Sequence, residues 1–366
     1  MSTYHKIFFQ DASCMENIED NTVDLVVTSP PYPMIQMWDE LFYGDESVRM
    51  AFEDGKGAEA FELIHRVLDK VWAELSRVVK KGGIVCINIG DATRTINGDF
   101  QIYMNHSRII EAMAERGFKS LPSIIWRKQT NAPNKFMGSG MLPVGAYVTL
   151  EHEYILIFRK GKKREFKVEE EKKRRQESSF FWEERNIWFS DLWDLKGVSQ
   201  KLGGGTRSRS AAYPFELAYR LINMYSMKGD LVLDPFLGTG TSTIAALSSE
   251  RNSIGYEIDA SLDKVIEDNI SNSINRVNKR IFSRLDEHRI FVETYEKPFK
   301  YFNENIGMPV VTRQERNIIF QKVSKIEKSS EMTFLCHYED IDVGDKMEIK
   351  MEDKVGNLPL LDILDK

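Results

Sequence analysis

The chain has 366 residues, 42% apolar and 29% charged, with a net charge of −6: enough for one large α/β domain or two, without the excess of cations that would coat nucleic acid. No apolar run reaches the roughly 18 residues of a membrane span, and the opening MSTYHKIFFQDASC has neither the apolar length nor the cleavage site of a signal peptide. Three cysteines, Cys14, Cys86 and Cys336, stand too far apart for a disulfide framework or a CxxC zinc site, which fits a reducing, cytoplasmic setting with Cys86 and Cys336 buried as small apolar side chains.

IFFQDA and VDLVVTS predict two strands separated by the turn-rich CMENIEDNT. The second is β-branched, short and nearly continuous, the pattern of a strand buried on both faces. It runs into Ser29-Pro30-Pro31-Tyr32. Neither proline has an N–H and both hold φ near about −65°, so the chain must leave the sheet there with an aromatic ring close behind. Apolar residues at helical spacing, among them Phe61, Ile64, Leu68, Val71 and Leu75, predict a helix over 59–79, stopped by Lys80-Lys81-Gly82-Gly83. IVCINIGD predicts a third buried strand and 105–116 a helix. LPSIIWRK and EHEYILIFRK predict two more strands, joined by the Pro/Gly-rich loop TNAPNKFMGSGMLPVGAY.

From Gly161 to Gly205 the chain turns charged, then aromatic, then glycine-rich. Residues 159–175, RKGKKREFKVEEEKKRR, form a basic patch. Phe180, Phe181, Trp182, Trp188 and Trp193 read as the core of a small subdomain. Helices are expected over 214–227, 241–249 and 261–285, with LVLDPF and NSIGYEID as strands between them. Strands alternating with helices predict a mostly parallel sheet covered on both faces. Past about Asp286 the pattern weakens, and MTFLCHYEDI reads as a strand with no assigned place in the core sheet.

LVLDPFLGTGTSTIAAL, 231–247, is a strand–turn–helix unit. Asp234 ends the strand, Gly238 and Gly240 let the backbone approach a ligand, and Thr241 or Ser242 can cap the following helix, whose positive end suits an anionic group. Glu257 closes the next strand, about 20 residues on, where nucleotide sites place the acid that holds ribose hydroxyls. No lysine follows the glycines as an ATP-cradling loop requires, and Thr243 stands where a dinucleotide fingerprint has its third glycine. An Asp before the turn suits a ligand with an ammonium beside its carboxylate; S-adenosylmethionine has that amino-acid end and a ribose.

Together, TSPPY at 28–32, DPFLGTG at 234–240 and GYEID at 255–259 resemble the amino-methyltransferases that modify DNA, over roughly residues 5–275. In that family [DNS]PP[YFW] holds the exocyclic amine, FxGxG the methionine part of S-adenosylmethionine, and the later acid its ribose. The catalytic strand precedes the cofactor turn by some 200 residues, an order that resembles the beta class. The resemblance implies a Rossmann-like α/β S-adenosylmethionine-dependent methyltransferase fold, circularly permuted: a catalytic half in 1–160, a target-recognition insertion in 161–205, a cofactor half in 206–285 and a C-terminal extension in 286–366. It implies Ser29, Pro30, Pro31 and Tyr32 as catalytic residues. Around the cofactor it implies Asp11, Thr28, Tyr213, Pro214, Asp234, Pro235, Phe236, Gly238, Thr239, Gly240, Thr241 and Glu257. Asp11 matches the acidic position near the adenine, and Tyr213-Pro214 the lead into the helix beside the methionine end. A His-Pro pair common just upstream in the family is replaced by Arg207-Ser208-Arg209-Ser210.

The chemistry asks for such a motif. An exocyclic amine has its lone pair delocalised into the ring and is a poor nucleophile. The Pro30 carbonyl, aimed by the prolines, can accept one N–H, and the Ser29 hydroxyl can accept the other or donate to a ring nitrogen. Tyr32 offers a flat face to a base rotated out of the duplex, and the sulfonium methyl passes in line to nitrogen. No Pro-Cys dipeptide points to covalent carbon-5 methylation. Serine in the first position resembles the cytosine-N4 enzymes more than the adenine-N6 ones, which usually carry Asp; adenine N6 and a non-catalytic nucleotide- or DNA-binding module stay open as alternatives. The expected partner is double-stranded DNA, with a cognate restriction endonuclease as functional counterpart. Its expected contacts are Lys162, Lys163, Arg164, Lys172, Lys173, Arg174, Arg175, Arg207 and Arg209. The loop 131–147 is expected to close over the flipped base. No metal is implied, and the oligomeric state is monomer or homodimer.

Overall fold

The computed structural model describes residues 2–128, 137–197 and 213–341. Ten strands join in one sheet: β1 (Ser2–Phe9), β2 (Val23–Thr28), β3 (Val79–Ile89), β4 (Phe118–Arg127), β5 (His152–Lys160), β6 (Leu192–Trp193), β7 (Leu231–Asp234), β8 (Asn252–Glu257), β9 (Gln321–Ser330) and β10 (Thr333–Asp340). Their spatial order is β6-β4-β5-β3-β2-β7-β8-β1-β10-β9. The five central strands, β3-β2-β7-β8-β1, are mutually parallel. β5 runs against both β3 and β4. The expected α/β architecture is thus found, with β2, which leads into Ser29-Pro30-Pro31-Tyr32, and β7, which leads into the glycine turn, as neighbours.

The chain also forms the helices α1 (Gly57–Val78), α2 (Asn105–Glu115), α3 (Glu169–Glu177), α4 (Trp182–Trp188), α5 (Phe215–Tyr225), α6 (Thr241–Leu247), α7 (Asp263–Ser271) and α8 (Ile274–Thr294). Alternate residues of each central strand point to opposite layers, as a pleated strand requires. Val26, Val85 and Ile87 pack with α1 and α2, whereas Leu25, Val27 and Cys86 pack with α5 and α6. The apolar stripe read in α1 is buried through Ile64, Leu68, Val71 and Leu75, and Trp72 joins it. Such burial stabilises by about 1.5–3 kcal/mol per large side chain.

The sequence reading and the fold differ at identifiable places. Lys80 to Gly83, expected to stop α1, already belong to β3. Gly82 has φ +86°, and a Cβ there would lie 2.7 Å from the main-chain N of Arg164, so this stretch is a bulge made for close packing. The single helix expected over 261–285 is two, broken at Asn272 and Ser273. A hairpin of Ala92–Ile96 with Asp99–Tyr103, unread in the sequence, turns on Asn97 (φ +51°) and Gly98 (φ +81°), the left-handed pair a two-residue turn needs. The C-terminal strand has a place after all: β10 pairs antiparallel with β1, and β9 with β10, so the hairpin widens the main sheet. The aromatic cluster is not the core of a separate subdomain. Trp188 and Trp193 are buried with Tyr219 against the main sheet, and Phe181 stacks on His288 at 3.8 Å. Among the described residues no helix is long and apolar enough to cross a membrane.

Candidate functional site

Parallel strands put their carboxyl ends on one edge, and there Thr28, Asp234 and Glu257 end β2, β7 and β8. That edge is where open α/β sheets hold ligands. The register sets Leu233 beside Val26 and Asp234 beside Gly255, and the Thr28 hydroxyl donates to Asp234 Oδ1 at 2.6 Å. The proline motif and the glycine turn therefore face one site. Asp11 reaches the same edge, two residues past Phe9, whose partner is Glu257.

Past β2 the prolines release the chain, and a polar network fixes the segment beyond them. The Tyr32 hydroxyl donates to Glu153 Oε2 at 2.8 Å and accepts from Asn88 Nδ2 at 2.7 Å. Burial, and next the Glu153 carboxylate, push its pKa well above the ordinary phenol value, so Tyr32 stays a neutral donor. The Ser29 hydroxyl lies 3.2 Å from both the Asn88 carbonyl and the Tyr32 oxygen. Glu153, buried in β5, also accepts from Asn88 at 2.7 Å and pairs with Lys128. Tyr32 lies against Gly90, where a Cβ would come within 3.0 Å of ring atom Cε2. Asn105, at the start of α2, donates to the carbonyls of Pro33 and Gly90, both at 3.0 Å, and so clamps the segments on either side of the ring.

Asp234 is buried, and burial holds its pKa above the usual carboxylate value. Its oxygens accept from Thr28, the Phe236 N–H (3.0 Å), Ser242 (2.6 Å) and Tyr213 (3.1 Å). Four donors fill a carboxylate's four acceptor positions. Asp234 thus fastens four protein segments at the edge where the sequence places the cofactor's amino-acid end. Gly240, not Thr241 or Ser242, is the N-cap of α6, and no side chain caps it, because the Ser242 hydroxyl is turned to Asp234. Gly238 has φ +58° with no protein atom within 4 Å of its would-be Cβ, and its N–H donates to Glu257 Oε2 at 2.8 Å. An open face beside a left-handed glycine, with a carboxylate next to it, fits the amino-acid and ribose ends of S-adenosylmethionine. Tyr213 and Pro214 sit buried at the head of α5, and Pro235 and Thr239 are buried within the turn.

The basic run lies elsewhere. Arg164 donates to Asp230 at 2.7 Å and Asp24 at 3.3 Å, both at the amino ends of strands, and Arg174 is 3.7 Å from Asp230. Asp24 and Thr28 are separated by the length of β2 between them, roughly 13 Å. Lys172 and Lys173 pair with Glu169 and Glu177 on their own helix. Lys162, Lys163 and Arg175 line a cavity of about 1960 Å³ at this amino edge. Arg207 and Arg209 lie outside the described residues.

Glu153, Asn88 and Asn105 were missed by sequence reasoning. For two of them a signal existed: Asn88 and Glu153 are polar residues set inside otherwise apolar strands, where burial without a partner is costly.

Known proteins resemble this chain in sequence and in fold. The family model described as DNA methylase, of the N6/N4 type, matches residues 23–268. The chain is 50% identical over 357 residues to the Type II methyltransferase M.MthZI of Methanothermobacter thermautotrophicus, spanning 96% of this chain and 99% of that protein. It is 50% identical over 289 residues to the Type II methyltransferase M.MjaI of Methanocaldococcus jannaschii, 76% of this chain and 94% of the other. Among solved structures, a candidate DNA modification methylase of Thermus thermophilus, complexed with S-adenosyl-L-methionine, aligns at TM-score 0.56 and 30% identity, over 73% of this chain and 95% of its own. The PvuII DNA methyltransferase (cytosine-N4-specific) shares the fold at TM-score 0.50 and 17% identity, over 76% and 91%.

Proposed function

The chain belongs to the N6/N4 DNA methylase family, and from that premise we propose that it is a beta-class enzyme that methylates the N4 amine of cytosine in duplex DNA, as the modification half of a Type II restriction–modification pair. The cofactor is S-adenosyl-L-methionine, which supplies a methyl group on a sulfonium. The observation that carries the reading is the 2.6 Å hydrogen bond between Thr28 and Asp234, which ties the Ser-Pro-Pro-Tyr strand to the glycine-turn strand at one sheet edge.

In this reading the protein's work is to hold the amine. The Ser29 hydroxyl can donate to the Asn88 carbonyl, leaving a lone pair for one N–H of the base. The Pro30 carbonyl takes the second N–H, which favours a pyramidal nitrogen. Tyr32, fixed by Glu153 and Asn88, meets the face of the flipped ring. Glu257 takes ribose hydroxyls and the open face of Gly238 admits the amino-acid end, with Asp11 near the adenine. Proximity and alignment would then favour displacement, in which the methyl–sulfur bond breaks as methyl–nitrogen forms, S-adenosyl-L-homocysteine leaves, and the nitrogen gives up one proton to solvent. The exposed cations Lys162, Lys163 and Arg175 are proposed to contact phosphates of DNA beyond the target base pair.

Serine at position 29 favours cytosine N4; the family also includes adenine-N6 enzymes, so the test must separate the two amines. Unmethylated DNA incubated with enzyme and S-adenosyl-L-methionine, digested to nucleosides and analysed by mass spectrometry, is expected to yield N4-methylcytosine. N6-methyladenine instead would reassign the base, and no methyl incorporation would leave a binding module.

A further inference from the structure

The four most exposed large apolar side chains among the described residues are Val144 (97%), Met141 (87%), Val148 (85%) and Leu142 (69%). All lie in one short arm between β4 and β5. The arm is built rather than loose. Met137–Gly138 pairs antiparallel with Ala146–Tyr147, and the Tyr147 ring stacks on Phe100 at 4.7 Å and 14°. Gly138, at φ +67°, allows this neck: a Cβ would strike the Gly145 carbonyl and the Tyr147 ring. At the tip the Ser139 N–H donates to the Gly145 carbonyl at 2.9 Å, and the Ser139 hydroxyl to the Leu142 carbonyl at 2.6 Å.

The arm emerges at the sheet edge that carries the site: β5 begins at His152, opposite Arg127 and next to Glu153. It leaves the sheet past Lys128, which pairs with Glu153, and Glu153 holds the Tyr32 hydroxyl. The hairpin carrying Phe100 begins two residues past Gly90, which touches the Tyr32 ring. Residues 137–148, MGSGMLPVGAYV, contain no charge and so offer no ionic contact to phosphates. Four side chains on a narrow tip fall short of the about 800 Å² per partner that a stable dimer interface buries. An aliphatic side chain does match the roughly 3.4 Å that one base occupies along a strand, and apolar wedges of Met, Leu and Pro are what proteins insert between base steps.

We propose that the Met141–Val144 tip enters the DNA stack and fills the space left when the target base rotates into the pocket at Tyr32. The inference rests on the methyltransferase reading above. A wedge is needed only while a paired, stacked base is being removed, so its loss should be felt where the target is fully paired and not where pairing is already broken.

The test is single-turnover methyl transfer by the triple variant Met141→Ser, Leu142→Ser, Val144→Ser on two duplexes, one fully paired and one with an abasic site opposite the target. The expected result is a 10–100-fold slower transfer on the paired duplex, a rate within about threefold of wild type on the abasic one, and unchanged cofactor affinity. Near-normal transfer by Met141→Leu, Leu142→Met is expected on both. Equal loss on the two duplexes, or no loss on the paired one, would overturn the wedge while leaving the methyltransferase reading intact. A wild-type enzyme inactive on both would instead remove that reading and the wedge with it.

Discussion

The Thr28 hydroxyl donates to Asp234 Oδ1 at 2.6 Å although the two residues are 206 positions apart. The same carboxylate gathers Tyr213, Ser242 and the Phe236 N–H, so four segments converge on one buried charge. Asp234→Ala strands these donors in a buried site, at a cost of about 1–3 kcal/mol for each donor left without a partner. Chemical denaturation should show a loss of at least about 4 kcal/mol, since four donors lose their acceptor, and calorimetry at least a tenfold weaker affinity for S-adenosyl-L-methionine. Asp234→Asn, which keeps an acceptor for Phe236, should lie between. Wild-type stability in the alanine variant would refute the fastening role.

Tyr32 separates ring from hydroxyl. Tyr32→Ala should abolish methyl transfer with cofactor affinity within about threefold, because the base loses its platform. Tyr32→Phe keeps the ring and loses the hydroxyl's bonds to Glu153 and Asn88, so a partial rate drop of about tenfold is expected rather than abolition. Glu153→Gln tests the same network from the other side and should slow transfer without changing cofactor binding. A Tyr32→Phe variant as dead as the alanine variant would put the chemistry on the hydroxyl.

Gly238 is in the left-handed region and fronts open space. Gly238→Ala should cost about 1–2 kcal/mol of stability from the backbone conformation alone, measurable by denaturant midpoint. Its larger effect should be on cofactor affinity, since the added methyl meets no protein atom and projects where a ligand would lie. Unchanged affinity would place the amino-acid end elsewhere.

Two buried histidines should make the fold acid-sensitive. His5, between Thr3 (2.9 Å) and Ser253 (2.8 Å), has its pKa lowered to about 3 by burial, and burial lowers that of His65 to about 4. Both are neutral in the fold, whereas the unfolded chain takes up protons near about pH 6.5. Stability is therefore full above that pH and falls as pH drops toward 4 and then 3. At pH 5 the loss is about 2 kcal/mol per histidine. Urea midpoints at pH 7 and pH 5 should show it, and His5→Gln with His65→Gln should flatten the difference.

Much of this molecule was legible along the chain. Ser29-Pro30-Pro31-Tyr32 and Asp234 to Gly240 could be read because proline and glycine restrict or free the backbone whatever surrounds them, and the strand alternating with helix announced a parallel sheet. The Asn97-Gly98 turn was equally legible and went unread. Partnership could not be read. That Asp234 would be filled by four protein donors, that Glu153 would orient Tyr32, and that Arg164 would turn to Asp230 at the amino end of β7 all depend on atoms brought together from distant positions. The sequence by itself determined the local backbone and the residue types at the site. Only the tertiary structure decided which polar groups meet, because hydrogen bonds and ion pairs are set by separations of a few ångström that strand order and register create.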